Sequence, residues 1–491
     1  MNYNFTKQLE IESKDSEKTA IFFNNQKISY QDLMDNMHKY SCFFKKKLLA
    51  KQKVLIILKD SPAFIYCILS LCKLGVIPVL VNYNISSDNI KYIINSCKPS
   101  SVISTTELIK KINPKSLKGV KIYNLDRKIP KEIKQQKIIF CPYHFNKKND
   151  PAIILCTSGT TGNPKLVVHS HNSYIFCAKN FALKTLKINK TDRIFSCSKM
   201  FFAYGFGNSL VFPLYIGASV ILSNQKSTSA EIKKIVNKFH PTIFFAVPTI
   251  YMNFLNQKRF FLNVKNIRMF LSAGEHLPIE MILRWQMLTN KIILDGIGAT
   301  EMANTFIANT AKNFLVGATG KLVTGYKSKI IKNKKNCNIN EIGELVISGE
   351  SMFLGYLVNN KLIKNRFNWF KTSDLFLKNN NGYFFYKGRK NELFKKNAQW
   401  ISAIEVENCL ISLKFIIESA VVQNPDNKEI IAFITTKKIS NKTELKNKIK
   451  QKIKNELGKN KIPDKILFVK KIPKTTTGKK QKFILIKDLT K

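Results

Sequence analysis

A dense run of glycines and hydroxyl side chains follows an apolar segment and constrains the fold more than any other stretch. The run reads Thr157, Ser158, Gly159, Thr160, Thr161, Gly162, Asn163, Pro164 and Lys165. The preceding residues, 152–156, are apolar and are predicted to form a buried strand. Glycines permit positive φ and a close approach of the backbone to a ligand, while hydroxyl and N–H groups can line an anion nest. With the charge of Lys165, the run predicts a loop that binds a polyphosphate.

This loop differs from a P-loop. A P-loop places its glycines five positions apart, with lysine directly after the second. Here Gly159 and Gly162 are three apart, and Lys165 follows three positions later. A surface turn is the alternative for a short run of this composition, but the nine-residue string matches the signature of adenylate-forming enzymes. The sequence resembles the acyl- and aryl-CoA synthetases of that superfamily, and most closely the benzoate–CoA ligases.

Segments typical of strands and helices alternate along the first part of the chain. The predicted strands lie at 19–23, 54–58, 77–81 and 101–104, and the predicted helices begin near 31, 62, 87 and 173. Repeated βαβ units indicate mostly parallel sheets covered by helices. Residues 105–150 are basic and irregular, and we interpret them as a variable connection.

The length of 491 residues is too great for one core, so two or more domains are expected. The resemblance implies an α/β protein with a large N-terminal domain of βαβ-rich layered sheets, residues 1–389, that holds the ATP and acyl sites. It also implies a small, mobile α+β C-terminal domain on a hinge, residues 390–491, that carries a catalytic lysine. Ser402 and Glu405 have the spacing of a capping box, which predicts the start of a helix.

The net charge of +49 could indicate binding to nucleic acid, an anionic membrane or acidic substrates. The lysines are, however, spread along the whole chain, often beside Asn and Ile. We interpret this pattern as a coding bias with solvated lysines, and nucleic acid is not the expected partner. A basic binding protein on a degenerate ligase scaffold is retained as an alternative.

Ten cysteines without a CxxC pair indicate reduced thiols in a cytoplasmic enzyme. The N-terminus lacks the apolar core of a signal peptide. The best candidate for a membrane span, residues 64–81, is interrupted by Lys73, Gly75 and Pro78, and is predicted to be a buried helix followed by a strand. No transmembrane segment is therefore expected.

Two further motifs place glycine and a carboxylate at the end of an apolar strand, where open α/β sheets bind ligands. They contain Gly274 and Glu275 in the first, and Asp295, Gly296, Thr300 and Glu301 in the second. Two tight turns are the alternative explanation. The resemblance implies that the first borders the adenine and that the second supplies Glu301 for Mg²⁺, with Thr300 in the catalytic site. It also implies that Asp374 binds the ribose hydroxyls and that Arg389 contacts the nucleotide.

The segment 201–208 places aromatic residues between small ones, which is compatible with ordinary core packing or with a flat apolar pocket. The resemblance favours the pocket and implies that it binds the acid substrate. Its candidate residues are Ala203, Tyr204, Gly205, Gly298 and Asn304. Asn304 stands where a benzoate–CoA ligase is expected to have His, so a hydroxybenzoate could be preferred to benzoate.

His169 and His171 lie between the phosphate loop and the next predicted helix. Acid–base catalysis is one interpretation, but no carboxylate or nucleophile stands near them in the sequence. Positioning or packing roles are therefore favoured.

In the C-terminal part, Lys479 takes the position of the family's catalytic lysine in a Pro-x4-Gly-Lys motif. The resemblance also implies a hinge at Asn391 and a CoA channel at Asn397 and Ala398, where the family has Ser-Gly. An alanine adds a methyl group and disfavours positive φ, so the thioester step is predicted with less support than adenylation.

The resemblance implies an ATP-dependent acid–CoA ligase, which uses ATP, Mg²⁺ and coenzyme A on a small carboxylic acid. Lys479 would meet the α-phosphate and the substrate carboxylate. An adenylating enzyme that loads another acid, or a carrier protein, is the alternative within the superfamily. A homodimer is compatible with the resemblance, and the sequence does not identify the acid.

Overall fold

The computed structural model describes residues 1–126, 128–138, 140–157, 163–257, 262–396, 399–413, 415–436, 441–474 and 480–489. Its strands are, in chain order, β1 (Thr19–Phe23), β2 (Gln26–Ser29), β3 (Lys53–Ile57), β4 (Ile77–Leu80), β5 (Ser101–Ser104), β6 (Lys121–Asn124), β7 (Pro151–Thr157), β8 (Lys165–Ser170), β9 (Arg193–Ser196), β10 (Ser219–Leu222), β11 (Ile243–Ala246), β12 (Met269–Ser272), β13 (Ile293–Gly298), β14 (Thr305–Ala308), β15 (Lys321–Leu322), β16 (Lys327–Lys332), β17 (Lys335–Asn336), β18 (Gly343–Ser348), β19 (Gly355–Val358), β20 (Lys361–Lys364), β21 (Phe370–Lys378), β22 (Phe384–Arg389), β23 (Leu393–Lys396), β24 (Gln399–Ser402), β25 (Ile416–Gln423), β26 (Ile430–Thr436) and β27 (Lys465–Phe468).

The α-helices are α1 (Phe5–Gln8), α2 (Tyr30–Lys45), α3 (Pro62–Lys73), α4 (Ser87–Cys97), α5 (Thr106–Lys110), α6 (Lys128–Lys134), α7 (Ser173–Cys177), α8 (Ala203–Phe206), α9 (Phe212–Ile216), α10 (Ser229–Phe239), α11 (Pro248–Leu255), α12 (Ile279–Thr289), α13 (Ala403–Ile411), α14 (Lys442–Leu457) and α15 (Lys482–Leu489). Short 3₁₀ turns lie at Thr300–Met302 and Lys390–Glu392, among others, and π-helical turns at Ala178–Thr185 and Gly207–Val211.

Two large sheets hold most of the apolar strands. One has the order β15-β14-β13-β12-β11-β9-β10-β1-β2, and the other β20-β19-β8-β7-β4-β3-β5-β6. The central strands of both run parallel, and the antiparallel pairs lie towards the edges. Continuous burial along β4, β5, β11 and β12 explains their uninterrupted apolar sequences. The α/β class expected from the sequence is confirmed.

The main core lies between these sheets. It combines side chains of both, including Val54, Ile56, Leu155, Ile194, Val220 and Leu271. Helix α3 crosses this core, and all its residues except Ala63 are buried. It begins at Ser61, whose side chain accepts the N–H of Phe64, and has Pro62 in its first turn. No helix among the described residues is long and apolar enough to cross a bilayer.

The region 105–150 has more structure than the sequence predicts. It contains α5, β6 and α6, and β6 extends the second sheet beside β5. Tyr123 anchors this edge, since its ring packs edge-on against Phe43 and Phe44 at centroid distances of 6.1 and 5.8 Å. One buried aromatic side chain in a basic segment gives no periodic pattern from which a strand or helix could be predicted. The interpretation of residues 105–150 as an irregular connection is therefore wrong for α5, β6 and α6.

Smaller sheets follow in the C-terminal third. They have the orders β17-β16-β18-β21-β22, β23-β24 and β25-β26-β27, and α13 and α14 pack with the last. Ser402 precedes α13, but its side chain makes no capping bond. Its hydroxyl donates instead to the carbonyl of Lys387 at 2.9 Å, and Glu405 pairs with Lys461 at 2.7 Å. The predicted helix start is confirmed, since Ser402 is the N-cap of α13, but the capping box is not formed because both side chains have partners outside the helix.

Candidate active site

The predicted phosphate loop begins at the end of β7 and ends at the start of β8. It joins β7 to the antiparallel β8, and Thr157 pairs with Lys165 as the last register pair before the loop. Ser158, Gly159, Thr160, Thr161 and Gly162 lie outside the described residues. The two ends of the loop are thus fixed side by side at the edge of a buried strand pair.

Lys165 and Glu301 are connected through Tyr356. Strand β19 runs antiparallel to β8, with Tyr356 opposite Val167. The Lys165 Nζ lies 5.5 Å from the centroid of the Tyr356 ring, and the Tyr356 hydroxyl donates to Glu301 Oε1 at 2.8 Å. The lysine of the loop and the glutamate predicted to bind metal therefore meet at one aromatic side chain, which the sequence analysis did not select.

The segment that carries Thr300 and Glu301 is held through its backbone. His169 donates from Nε2 to the carbonyl of Thr300 at 2.8 Å, and the carbonyl of Glu301 accepts the N–H of Phe353 at 2.8 Å. Ala303 follows with a φ of 63°, a conformation that costs a non-glycine residue free energy and is common beside functional sites.

The structure agrees with positioning and packing roles for the two histidines. Burial lowers the pKa of His169 to about 4, so this ring is neutral and can donate from one nitrogen. His171 accepts the N–H of Phe5 at Nδ1, 2.9 Å away, and burial also lowers its pKa to about 4.

The motifs with Gly274 and Asp295 end neighbouring parallel strands, and Ser272 of β12 is in register with Asp295 of β13. Asp295 and Gly296 lie within β13, so this motif is a strand end rather than a tight turn. Asp295 is only 8% exposed, and burial raises the pKa of its carboxyl well above the usual range. Its Oδ1 has no hydrogen-bond partner among the described residues. A buried orphan acceptor suits a ligand N–H, such as the amino group of adenine.

Gly274 adopts a φ of 93°, which favours glycine, at the turn after β12. Beside it, Glu275 Oε2 accepts a hydrogen bond from the Thr249 hydroxyl at 3.2 Å.

Asp374 and Arg389 face each other across β21 and β22, where they are register partners. Arg389 Nε donates to Asp374 Oδ1 at 3.1 Å. Ser373 adopts a φ of 61° next to an irregularity in the β18–β21 pairing, and such bulges redirect side chains beside active sites. Asp374 is a buried strand residue rather than a turn or cap, and its carboxylate has a fixed position.

The candidate acyl-pocket residues include two partly exposed side chains and two closely packed glycines. Ala203 and Tyr204 are partly exposed, and the Tyr204 ring packs edge-on to Phe245. A Cβ on Gly205 would lie 2.1 Å from the Lys199 carbonyl oxygen, and one on Gly298 would lie 2.6 Å from that of Asn304. Both glycines are therefore required by backbone packing, whatever they contribute to the pocket.

The carboxamide of Asn304 is already engaged. Its Oδ1 accepts the N–H of Thr305 at 2.8 Å, and its Nδ2 donates to the carbonyl of Ala203 at 3.3 Å. A Cβ on Gly207 would lie 2.3 Å from that Nδ2, so the close approach requires glycine there. One N–H of the amide remains for a further acceptor.

Three candidates of the C-terminal part, Lys479, Asn397 and Ala398, lie outside the described residues. The ends of the Lys479 loop are fixed, because Lys474 and Lys480 form an antiparallel bridge. Asn391 is exposed within the 3₁₀ turn Lys390–Glu392.

Glu407 organises the lysines around this loop. Its carboxylate contacts Lys480 at 2.6 Å and Lys482 at 2.8 Å, and it accepts the N–H of Val421 at 2.9 Å. Burial alone would raise the pKa of Glu407, but the two ammonium groups lower it to about 2. Lys482 also binds Glu392 at 2.9 Å, next to the predicted hinge.

The C-terminal part contacts the Gly274 motif through His276. This ring follows Gly274 and Glu275, stacks on Tyr386 and accepts a hydrogen bond from Asn408 of α13 at 3.1 Å. Burial, followed by the positive charge of Lys480, lowers the pKa of His276 to about 4. Lys480 therefore lies close to the motif that contains Gly274.

Glu301 is the residue best suited to bind a metal ion. Among the described residues, no cluster of three or more His, Cys, Asp or Glu side chains could form a complete metal site. Mg²⁺ commonly uses one or two carboxylates together with substrate phosphates, and one free carboxylate oxygen beside the phosphate loop fits that requirement.

The layered α/β sheets and the smaller sheets that follow them define an enzyme of a known family. The family model of the AMP-binding enzyme matches residues 9–357, and that of the AMP-binding enzyme C-terminal domain matches residues 405–479. The chain belongs to the AMP-binding enzyme family, which confirms the resemblance to adenylate-forming enzymes.

Similar proteins include several ligases of aromatic acids. The chain is 33% identical over 456 residues to the benzoate–CoA ligase of Thauera aromatica, covering 89% of this chain and 86% of the relative. It is 28% identical over 487 residues to the 4-hydroxybenzoate–CoA/benzoate–CoA ligase of Rhodopseudomonas palustris, covering 95% and 90%.

Solved structures show the same likeness. The anthranilate CoA ligase AuaEII in complex with anthranoyl-AMP superposes with a TM-score of 0.92 at 27% identity, covering 100% of this chain and 98% of that one. A benzoate CoA ligase from Burkholderia xenovorans LB400 gives a TM-score of 0.89 at 27% identity, with 99% of both chains covered.

Proposed function

We propose that the protein is an ATP-dependent aryl acid–CoA ligase. In the first half-reaction, the acid carboxylate attacks the α-phosphate of ATP, giving an acyl-adenylate and pyrophosphate. In the second, the thiol of coenzyme A attacks the acyl carbonyl, giving the thioester and AMP. The main observation is that Lys165 and Glu301 meet at Tyr356, and the sequence relatives support the aryl specificity.

Adenylation gathers negative charge at phosphate, and preorganised cations and N–H groups stabilise such a transition state. In this proposal the hairpin loop and Lys165 hold the leaving pyrophosphate, and Lys479 neutralises charge at the α-phosphate. Glu301 would hold Mg²⁺, which supplies additional positive charge on the phosphates when bound. Asp295 accepts from the adenine and Asp374 from the ribose hydroxyls.

The proposal includes a division after Arg389 into a large domain and a small mobile one. The contact of His276 with Asn408 joins the two on the nucleotide side, as adenylation by Lys479 requires. Rotation about Asn391 would then open the channel at Asn397 and Ala398 for the thiol.

A small aromatic acid, benzoate or a hydroxylated relative, is the proposed substrate. Tyr204 offers a flat apolar wall, and Ala203 leaves room for a ring. The remaining N–H of Asn304 can donate to an oxygen on the ring, which favours a hydroxybenzoate by only about 1 kcal/mol. We place the enzyme in the cytoplasm, where thiols stay reduced, since none of the ten cysteines, all within the described residues, forms a disulfide.

A pyrophosphate-release screen tests this function. The purified protein is given ATP, Mg²⁺ and a panel of aromatic and aliphatic acids, with and without CoA. We expect release with aryl acids and AMP formation that depends on CoA. Adenylation that CoA does not accelerate would favour a carrier-protein acceptor, and preference for fatty acids would contradict the aryl assignment.

The remaining alternative, a basic binding protein, has a separate test. Its signature would be tight nucleic-acid binding that falls steeply with salt concentration. We expect weak binding, because the lysines are distributed over the whole chain.

A further inference from the structure

The hydroxyl of Tyr356 occupies one oxygen of the glutamate that we assign to the metal ion. It donates to Glu301 Oε1 at 2.8 Å. A carboxylate has two oxygens, and a bond that fixes one of them also fixes the direction of the other. We propose that Tyr356 is a positioning residue, which presents Glu301 Oε2 to the Mg²⁺ ion that accompanies the nucleotide phosphates. This inference rests on the proposed function.

The same short segment holds Glu301 at both its backbone and its side chain. The N–H of Phe353 binds the Glu301 carbonyl at 2.8 Å, and Tyr356, three residues later, binds the carboxylate. The Phe353 ring packs edge-on against the Tyr356 ring at 4.8 Å. Two bonds and one aromatic contact therefore restrict the rotamers of the carboxylate before any ligand arrives.

A phenol hydroxyl has one proton to donate, and an ionised carboxylate can only accept, so the Tyr356 hydroxyl is the donor to Glu301.

The ring also supports the phosphate loop. Lys165 Nζ lies 5.5 Å from the centroid of the Tyr356 ring, within the range of a cation–π contact. Strand β19, which carries Tyr356, is hydrogen-bonded to β8, which begins at Lys165. Tyr356 therefore contacts both the proposed metal ligand and the lysine of the phosphate loop. Loss of its hydroxyl should weaken Mg²⁺ binding more than phosphate binding, because the hydroxyl contacts Glu301 and the ring contacts Lys165.

The variant Tyr356→Phe removes the hydroxyl and keeps the ring for Lys165 and Phe353. We measure ATP binding by calorimetry with excess Mg²⁺ and again with EDTA. The Kd in EDTA divided by the Kd with Mg²⁺ measures how much the metal strengthens ATP binding. This ratio should fall about tenfold in the variant, as expected for losing one hydrogen bond to a charged group. The Kd in EDTA should stay within about twofold of wild type. Tyr383→Phe is the matched control, since its ring lies against Lys321, outside this contact network.

Kinetics give a second measurement. In pyrophosphate exchange, Tyr356→Phe should raise the Mg²⁺ concentration for half-maximal rate about tenfold, with kcat at saturating Mg²⁺ little changed. Thioester formation from preformed acyl-adenylate should be unaffected. In a Glu301→Gln background, the change Tyr356→Phe should add no further loss, because the tyrosine acts through that carboxylate.

An unchanged Mg²⁺ enhancement of ATP binding in Tyr356→Phe would overturn the inference. So would an independent, additive loss in the Glu301→Gln background. Failure of the proposed function is distinguishable: if wild type binds ATP with Mg²⁺ but adenylates no aryl acid, the acid assignment fails while the Tyr356 result stands.

Discussion

The carboxylate of Asp374 offers the most direct test of the nucleotide site. Its side chain is 10% exposed, and its Oδ1 accepts from Arg389 Nε at 3.1 Å. Both strands that carry the pair are fixed by their register. The change Asp374→Asn keeps the shape of the side chain and removes its charge. Its effect on the Kd for ATP therefore measures how much the negative charge contributes to binding the ribose hydroxyls.

The magnitude follows from two hydrogen bonds to the ribose hydroxyls. A bond to a charged group contributes about 1.5–3 kcal/mol and a neutral one about 0.5–1.5 kcal/mol, so each bond loses about 1–1.5 kcal/mol. Both together lose about 2–3 kcal/mol, which corresponds to a Kd for ATP that is roughly 30- to 150-fold higher. Arg389 is 43% exposed on its side chain and can be solvated when its partner becomes neutral.

Calorimetric titration with ATP and with 2′,3′-dideoxy-ATP makes the test specific. Wild type should bind the dideoxy nucleotide more weakly than Asp374→Asn binds ATP, because the asparagine still makes two neutral hydrogen bonds. The variant should therefore discriminate between the two nucleotides less than wild type does. Asp426→Asn, in an exposed turn, is the control. A variant that binds ATP within twofold of wild type, or that rejects the dideoxy nucleotide as strongly as wild type does, would refute the ribose assignment.

Three further predictions concern catalysis, specificity and stability. Lys479→Ala should slow adenylation by roughly 100-fold or more while sparing thioester formation from preformed acyl-adenylate; equal loss in both halves, measured by stopped-flow, would mean that Lys479 is structural. Ala203→Leu should raise KM for aromatic acids in the exchange assay, and an unaltered KM would remove Ala203 from the pocket. Glu407 has a pKa depressed to about 2 from an ordinary 4.5, so its ion pairs contribute about 3 kcal/mol above pH 4.5 that is lost as the pH falls towards 2. In urea unfolding, Glu407→Gln should have a lower free energy of unfolding than wild type at pH 7. Its free energy of unfolding should also fall less than that of wild type between pH 4.5 and pH 2, and identical pH profiles for the two proteins would contradict this prediction.

The sequence predicts the buried parallel elements well because their signal is local. The bounds of β1 and β5 agree with the predicted strands, and α3 and α4 begin at the predicted residues 62 and 87. These strands are buried at nearly every residue, and these helices are buried on at least one face at every turn. The positions of apolar residues in the sequence therefore match the buried positions in the structure.

Side chains with distant partners could not be predicted in the same way. Ser402 has the residue type and spacing of a cap, but its hydroxyl binds Lys387, across the strand pair that precedes the helix. Tyr356 reaches Glu301, 55 residues away, only through the register of β19 against β8. His276 depends on a contact with α13. No local sequence pattern predicts such pairs. The motifs that the sequence did reveal are those whose residues lie next to one another in the chain.

The carboxylates around the position of Lys479 set the local charge of this segment. Acidic residues are scarce, 32 against 81 basic ones, yet Glu392, Glu407 and Glu418 are each paired with a lysine of the segment 474–482. Three ammonium groups near Lys479 in the sequence are thereby neutralised, so loss of one of these acids would add an unpaired positive charge to the segment. In a chain this basic, the electrostatics of the segment depend on its few acidic partners rather than on its many lysines.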